Sequence, residues 1–195
     1  MDDFVGTQEP RHRLKDPVAA VEALERAVPG LGALRLPAPR SLDWDSFKME
    51  AGTDFPADFK LLCELYPAFE LGGFLGFGGQ GSGGQGSGEY GRWLEKTREE
   101  LDVIDEWLED ANLSVPMSTY PAPGGLLVWA TSTQGDFFLW STTGASPEEW
   151  VVTVASRSGA WWNYAGGVAQ FMADLVSGEL ELWGLPSVSP EVGAW

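Results

Sequence analysis

Five stretches of the chain place hydrophobic residues at intervals of three and four, which is the spacing of one face of an α-helix. The clearest stretch begins at Asp16 and Pro17, a favourable N-cap and first-turn pair, and continues through Val18, Val21 and Leu24. The predicted helices cover residues 17–28, 41–51, 54–66, 90–112 and 167–175. Three prolines between residues 29 and 40 predict an extended connector after the first helix.

After a proline-rich turn at residues 116–125, the pattern changes to short runs of β-branched and aromatic residues. These runs cover residues 126–131, 136–142 and 149–156, and Gly-containing turns separate them. Strands joined by short turns favour a sequential antiparallel meander. Helices, then a meander, then a closing helix predict an α+β fold, an antiparallel sheet with helices packed on one face.

The segment from residue 72 to residue 91 has an unusual composition, because eleven of its twenty residues are Gly. It contains a perfect tandem repeat of Gly-Gly-Gln-Gly-Ser. We interpret residues 78–88 as a flexible loop rather than a phosphate-binding loop, since no Val- or Ile-rich strand precedes it and no Gly-Lys-Ser/Thr follows. The predicted organisation is a leader helix and connector at 1–40, a domain at 41–183 containing this loop, and a tail at 184–195.

The chain of 195 residues is strongly acidic, with a formal net charge of −17 from 12 basic and 29 acidic side chains. Such a charge repels nucleic acid and anionic membranes and attracts a basic protein. A single cysteine, Cys63, excludes an internal disulfide framework and is typical of a reducing compartment. The sequence shows neither a secretory signal nor a long apolar span, so the expected location is the cytoplasm.

Residue types also limit the chemistry that the chain can perform. His12 is the only histidine and lies between two arginines in the polar leader, while Cys63 lies in an apolar helical stretch where a buried, inert thiol is expected. One His and one Cys cannot assemble a zinc site of the usual ligand types. The acidic residues follow neither the calcium-loop pattern nor the arrangement of a glycosidase pair across a cleft. We therefore expect neither histidine-based nor cysteine-based catalysis, and no metal or cofactor.

A series of landmarks between Gly52 and Gly178 resembles the SUKH superfamily, which includes bacterial relatives of the fungal Smi/Knr regulators of cell-wall synthesis. The landmarks are Gly52, Phe-Pro-Ala-Asp-Phe-Lys at 55–60, Pro-Gly-Gly-Leu-Leu-Val-Trp at 123–129, Gly-Asp-Phe-Phe-Leu-Trp at 135–140, Pro-Glu-Glu-Trp-Val-Val at 147–152 and the helix from Phe171 to Gly178. The resemblance covers about two-thirds of the chain, and the glycine repeat departs from it.

The resemblance implies a binding domain without catalytic residues. Bacterial SUKH members are mostly immunity proteins that neutralise a cognate toxin, often a nuclease or a nucleic-acid deaminase, through a surface that varies among members. The matched residues are interpreted as fold-defining. The alternative is a regulatory scaffold, or a module that binds small ligands or carbohydrate through a Trp-rich surface.

Two groups of residues are the candidate partner-binding sites. The second half of the predicted helix at 90–112 is rich in acids and contains no base, and its candidate residues are Asp102, Asp105, Glu106, Glu109 and Asp110. A solvated helix surface is the alternative interpretation of this acidic face. Trp161 and Trp162 form the second group, because an exposed Trp pair could serve as a binding hot spot.

Overall fold

The computed structural model describes residues 2–78 and 88–194; of residues 88–92 and 94, only the backbone is described. The predicted flexible loop at 78–88 lies outside the described residues, apart from its two end residues. The predicted α+β class is confirmed, since helices pack on an eight-stranded sheet.

The described residues form six α-helices, and five of them lie where the hydrophobic spacing predicts a helix. They are α1 Pro17–Ala27, α2 Leu31–Leu34, α3 Trp44–Ala51, α4 Ala57–Leu65, α5 Gly88–Asp110 and α6 Val168–Ser177. The Asp16 side chain caps α1 by accepting a hydrogen bond from the Val18 N–H, and Gly52 ends α3 in the left-handed conformation at φ +77°. The connector at 29–40 is not fully extended, because burial of Leu31 stabilises the short helix α2.

The sheet contains eight strands in the order β1-β7-β6-β5-β4-β3-β2-β8. They are β1 Phe4–Gln8, β2 Phe69–Leu71, β3 Leu75–Phe77, β4 Leu126–Ser132, β5 Phe137–Ser141, β6 Val151–Ala155, β7 Trp161–Tyr164 and β8 Val192–Ala194. The predicted antiparallel meander is confirmed in β4 to β6 and extends through β7. The sheet as a whole is mixed, because β1 pairs in parallel with β7.

Helices cover both faces of the sheet, rather than only the one face that was predicted. On one face, Phe171 of α6 contacts Trp129 and Phe138, with ring centroids 6.0 and 5.7 Å apart. The neighbouring residue Phe137 points to the opposite face, since side chains alternate along a strand. There it packs edge-on against Trp107 of α5, at 5.2 Å between centroids. The long helix therefore covers the second face.

Both ends of the chain join this sheet. Within 1–40, β1 forms one edge of the sheet, and α1 packs against α4 and α6. Within 184–195, β8 forms the other edge by pairing Val192 with Leu71 of β2. Strands β1 and β8 thus pair with the backbone groups of β7 and β2, which would otherwise be the edges of the sheet.

Asp58 connects α4 to α6 through a buried carboxylate. One carboxylate oxygen accepts a hydrogen bond from the Ala169 N–H at 3.1 Å, and the other accepts from the Phe59 N–H at 2.9 Å. The N-cap residue of α6, Gly167, has no side chain that could accept a hydrogen bond from the first turn of the helix. A Cβ at this position would come within 2.4 Å of the Asp58 carboxylate. Asp58 therefore caps α6 from another helix, which explains its place in the Pro-x-Asp landmark.

Asp136 forms a second connection, at the turn between β4 and β5. Its carboxylate accepts hydrogen bonds from the Arg157 N–H at 2.9 Å and from the Ser132 hydroxyl at 2.5 Å. It thereby joins this turn to the turn between β6 and β7. The Gly-Asp landmark is thus explained by a structural contact.

The Asp58→Ala variant should lower the free energy of unfolding by about 1–3 kcal/mol, because it leaves two buried N–H groups without acceptors. Urea denaturation measures the change. The exposed Asp102→Ala variant is the control, and its effect should stay within about 0.5 kcal/mol. Equal stability of the two variants would contradict the capping role of Asp58.

Stability should rise as the pH falls from neutral towards the ordinary carboxyl pKa of about 4. Burial raises the pKa of the carboxyls of Asp58, Glu100 and Asp174, so the folded chain takes up protons at a pH where the unfolded chain does not. Hydrogen bonds from Ser114 and Ser46 lower the pKa of Asp2 and Asp43, respectively. The stabilisation that these two carboxylates provide is therefore lost only in more acidic solution.

Urea denaturation across this pH range measures how the free energy of unfolding changes with pH. The Asp174→Asn variant should show a smaller increase in the free energy of unfolding than the wild type, because it lacks one of the carboxyls whose pKa is raised. A free energy of unfolding that falls steadily from neutral pH downwards would refute the prediction.

Candidate functional site

The predicted acidic residues form one exposed surface on α5. The helix turns Trp93, Thr97, Leu101 and Ile104 towards the protein interior, where each is buried. The opposite side is exposed and consists of Asp102, Asp105, Glu106, Glu109 and Asp110, which we call the acidic face. At 3.6 residues per turn these five residues occupy an arc of roughly 140°. The sequence therefore located the acids on one side, and the packing of α5 on the sheet points that side towards solvent.

The acidic face is electrostatically unfavourable for its own helix. Like charges occur four residues apart in the pairs Asp102–Glu106, Asp105–Glu109 and Glu106–Asp110, and each such pair costs about 0.2–0.5 kcal/mol. The last turn of α5 contains no basic residue, although the negative end of the helix dipole favours one there. The folded chain therefore concentrates negative charge on one side of α5, although repulsion between these charges makes the helix less stable.

Compensation from the surroundings is slight. None of the ion pairs between described side chains includes a residue of the acidic face. Within the acidic face, Asp105 is the only residue whose carboxylate accepts a hydrogen bond from a described residue, the hydroxyl of Thr119, at 2.9 and 3.0 Å from its two oxygens. The remaining carboxylates are available to a partner.

The leader adds two acids that the sequence pattern did not reveal. The Asp3 N–H donates to the Asn112 carbonyl at 2.9 Å, and the Asn112 N–H donates to the Asp3 carboxylate at 2.8 Å. The Ser114 N–H donates to the Asp2 carboxylate at 3.0 Å. These contacts place Asp2 and Asp3 beside the C-terminal end of α5, next to the acidic face. Because 109 positions separate Asp3 from Asn112, no local spacing could have indicated the contact.

Trp161 and Trp162 do not belong to an exposed surface, which corrects the prediction of a Trp hot spot. They point to opposite faces of the sheet, yet they are only 2% and 0% exposed. Trp162 contacts Phe171 of α6, and its indole N–H donates to the Trp183 carbonyl at 3.0 Å. The Trp pair therefore forms part of the core.

Neither a metal-binding cluster nor a membrane-spanning helix occurs among the described residues. Across residues 2–78 and 88–194, no three His, Cys, Asp or Glu side chains lie together in a way that could hold a metal ion. Cys63 is half-buried on α4, and its carbonyl accepts hydrogen bonds from Arg40. In the same parts of the chain, no helix has both the length and the apolar character needed to cross a membrane.

The chain has no significant match among family models, curated proteins or solved structures. The resemblance to the SUKH superfamily therefore depends on the sequence landmarks alone. The acidic face is the candidate site with the strongest physical support, because its charge is exposed, concentrated and unfavourable for the helix.

Replacing four acids of this face by their amides should stabilise the folded chain. The variant combines Asp102→Asn, Glu106→Gln, Glu109→Gln and Asp110→Asn, and removal of like-charge pairs should raise the free energy of unfolding by about 1 kcal/mol. Urea denaturation at low ionic strength measures the gain. The control changes Glu9, Glu50, Glu148 and Glu191 to Gln, which alters the net charge equally at scattered exposed positions that form no ion pair between described residues. A loss of stability, or an equal gain in the control, would contradict the unfavourable electrostatics.

Proposed function

We propose that this chain is a cytoplasmic immunity protein of the SUKH type, which binds a cognate toxin and neutralises it by stoichiometric association. The toxin is a basic protein, a nuclease or a nucleic-acid deaminase. The single observation that carries the proposal is the acidic face, which maintains exposed negative charge at the expense of helix stability. Natural proteins often retain such local costs where function requires them.

The proposed mechanism follows from charge complementarity. A toxin that acts on nucleic acid needs a basic groove to hold phosphate groups. The carboxylates of the acidic face, extended by Asp2 and Asp3, present negative charges in the same groove and exclude the substrate. Opposite charges also accelerate the encounter of the two proteins, and salt weakens this effect.

The proposal requires neither turnover nor a cofactor, because occupation of the toxin's substrate path is sufficient. Rigidity of the binding surface also supports it. The buried stripe of α5 holds the helix on the sheet, so the binding surface is ordered before the partner arrives. Association therefore costs this surface little conformational entropy. The acidic face thus combines a fixed shape with unpaired charge.

The alternative of a ligand or carbohydrate module on a Trp-rich surface has lost its main support. Every described tryptophan is buried or half-buried, and Trp161 and Trp162 belong to the core. A regulatory scaffold would also bind another protein, but it would not abolish the activity of a toxin.

The decisive experiment uses the product of a toxin-like gene adjacent to the gene for this chain. The purified toxin domain is mixed with increasing amounts of the full chain, and cleavage or deamination of labelled nucleic acid is measured. We expect the toxin's activity to be abolished at equal molar amounts. Full toxin activity in the presence of excess chain would overturn the proposal.

The four-residue amide variant of the acidic face should associate with this toxin about tenfold more slowly than the wild type at low ionic strength. Stopped-flow or surface plasmon resonance measures the rate at about 10 mM and about 150 mM salt. The scattered four-Gln control should associate at nearly the wild-type rate. Identical rates for the two variants would show that overall charge, rather than this face, attracts the toxin.

A further inference from the structure

A cleft of about 340 Å³ lies on a part of the protein that shares no residue with the acidic face. One wall is the leader segment from Arg13 to Pro17, and the opposite wall is the loop at 146–150 between β5 and β6. The beginning of α4 and the beginning of α6 line the same cleft. Its volume is within the range of small-molecule binding sites.

The leader wall of the cleft is held in place by the core. The buried side chain of Gln170 on α6 accepts a hydrogen bond from the Leu14 N–H at 2.9 Å and donates one to the His12 carbonyl at 2.7 Å. Across the cleft, the Arg13 guanidinium donates to the Glu148 carbonyl at 3.0 Å. The leader therefore presents its side chains from a fixed backbone.

Two cationic side chains of this wall, Arg13 and Lys15, have no acidic partner among the described residues. Six other basic side chains form ion pairs with carboxylates: Arg11, Arg26, Arg35, Lys48, Lys60 and Lys96. Arg40, Arg98 and Arg157 also form no ion pair between described residues, but only Arg13 and Lys15 of these five line this cleft. Both side chains are exposed, so a ligand can reach them.

The carboxylates of the cleft leave these cations available. Asp58 is turned into the protein, where it caps α6, so that helix N-terminus is already occupied. The Glu149 carboxylate accepts a hydrogen bond from the Ala145 N–H at 2.9 Å. Glu148 is exposed and contacts Arg13 through its backbone carbonyl. The attraction for an anion therefore comes from Arg13 and Lys15 themselves.

The remaining lining is largely apolar and includes the half-buried Pro17 and Pro147 and the mostly buried Pro56 and Trp150. An inorganic ion would leave this surface without contact, whereas a compact apolar group would cover it. We propose that the cleft binds a small organic anion, a carboxylate or phosphate group attached to a compact aromatic or aliphatic body. Arg13 and Lys15 would bind the anionic group, and the proline and tryptophan side chains would contact the body.

The test uses four probes and the full chain labelled with nitrogen-15. Phenyl phosphate and benzoate contain both required parts, inorganic phosphate lacks the apolar body, and benzylamine reverses the charge. We expect saturable shifts of the Leu14, Lys15 and Gly167 amide resonances with phenyl phosphate, benzoate or both. Inorganic phosphate should bind at least about tenfold more weakly, and benzylamine should cause no saturable shift.

The variant Arg13→Gln combined with Lys15→Gln should weaken binding of the aromatic anion by about tenfold or more. Lys15→Gln alone, which removes no hydrogen bond identified in the structure, should weaken it in part. The control combines Arg26→Gln with Arg157→Gln, two exposed cations elsewhere, and should bind like the wild type.

Several results would overturn the proposal. The absence of saturation with both aromatic anions, equal binding of benzylamine, or unchanged affinity in the Lys15→Gln variant would each do so. Binding of inorganic phosphate as tight as that of phenyl phosphate would refute the apolar part of the site. None of these results depends on the toxin, so they leave the proposed immunity function untouched.

Discussion

Both faces of the eight-stranded sheet have to be covered, and the rest of the structure depends on this constraint. The strands present large aromatic side chains on each side, as neighbouring Phe137 and Phe138 illustrate. Phe171 of α6 covers one side, and Trp107 of α5 covers the other. A sheet of this kind gains most of its stability from excluding water on both sides, so neither helix is dispensable.

The same constraint determines the position of the acidic face. Because α5 uses its apolar stripe to cover the sheet, its polar side has to face solvent. A neutral or mixed polar surface would satisfy that requirement equally well. The run of unpaired acids therefore has no explanation in the packing, and it makes the helix less stable than it could be. Packing accounts for the orientation of α5 but not for its charge, which the proposed binding role would explain.

Much of the fold could be predicted from local sequence, and the site only in part. The Asp16 cap, the Gly52 stop and the stripe from Trp93 to Ile104 each depend on residues within or next to a single helix, so their patterns were sufficient. The edge strands β1 and β8 were not predicted, because short strands acquire stability from their neighbours rather than from their own residues. The acidic face was located correctly, whereas its extension by Asp2 and Asp3 was missed.

The sequence by itself determined the α+β class, the order of the meander and the arc of acids on α5, because these follow from the periodicity of neighbouring residues. Only the tertiary structure decided that Trp161 and Trp162 are buried, since a strand pattern does not reveal whether one or both faces of its sheet are covered. It also decided that Asp58 caps a helix 111 positions away. Such contacts depend on how distant elements meet in space, which local spacing does not specify.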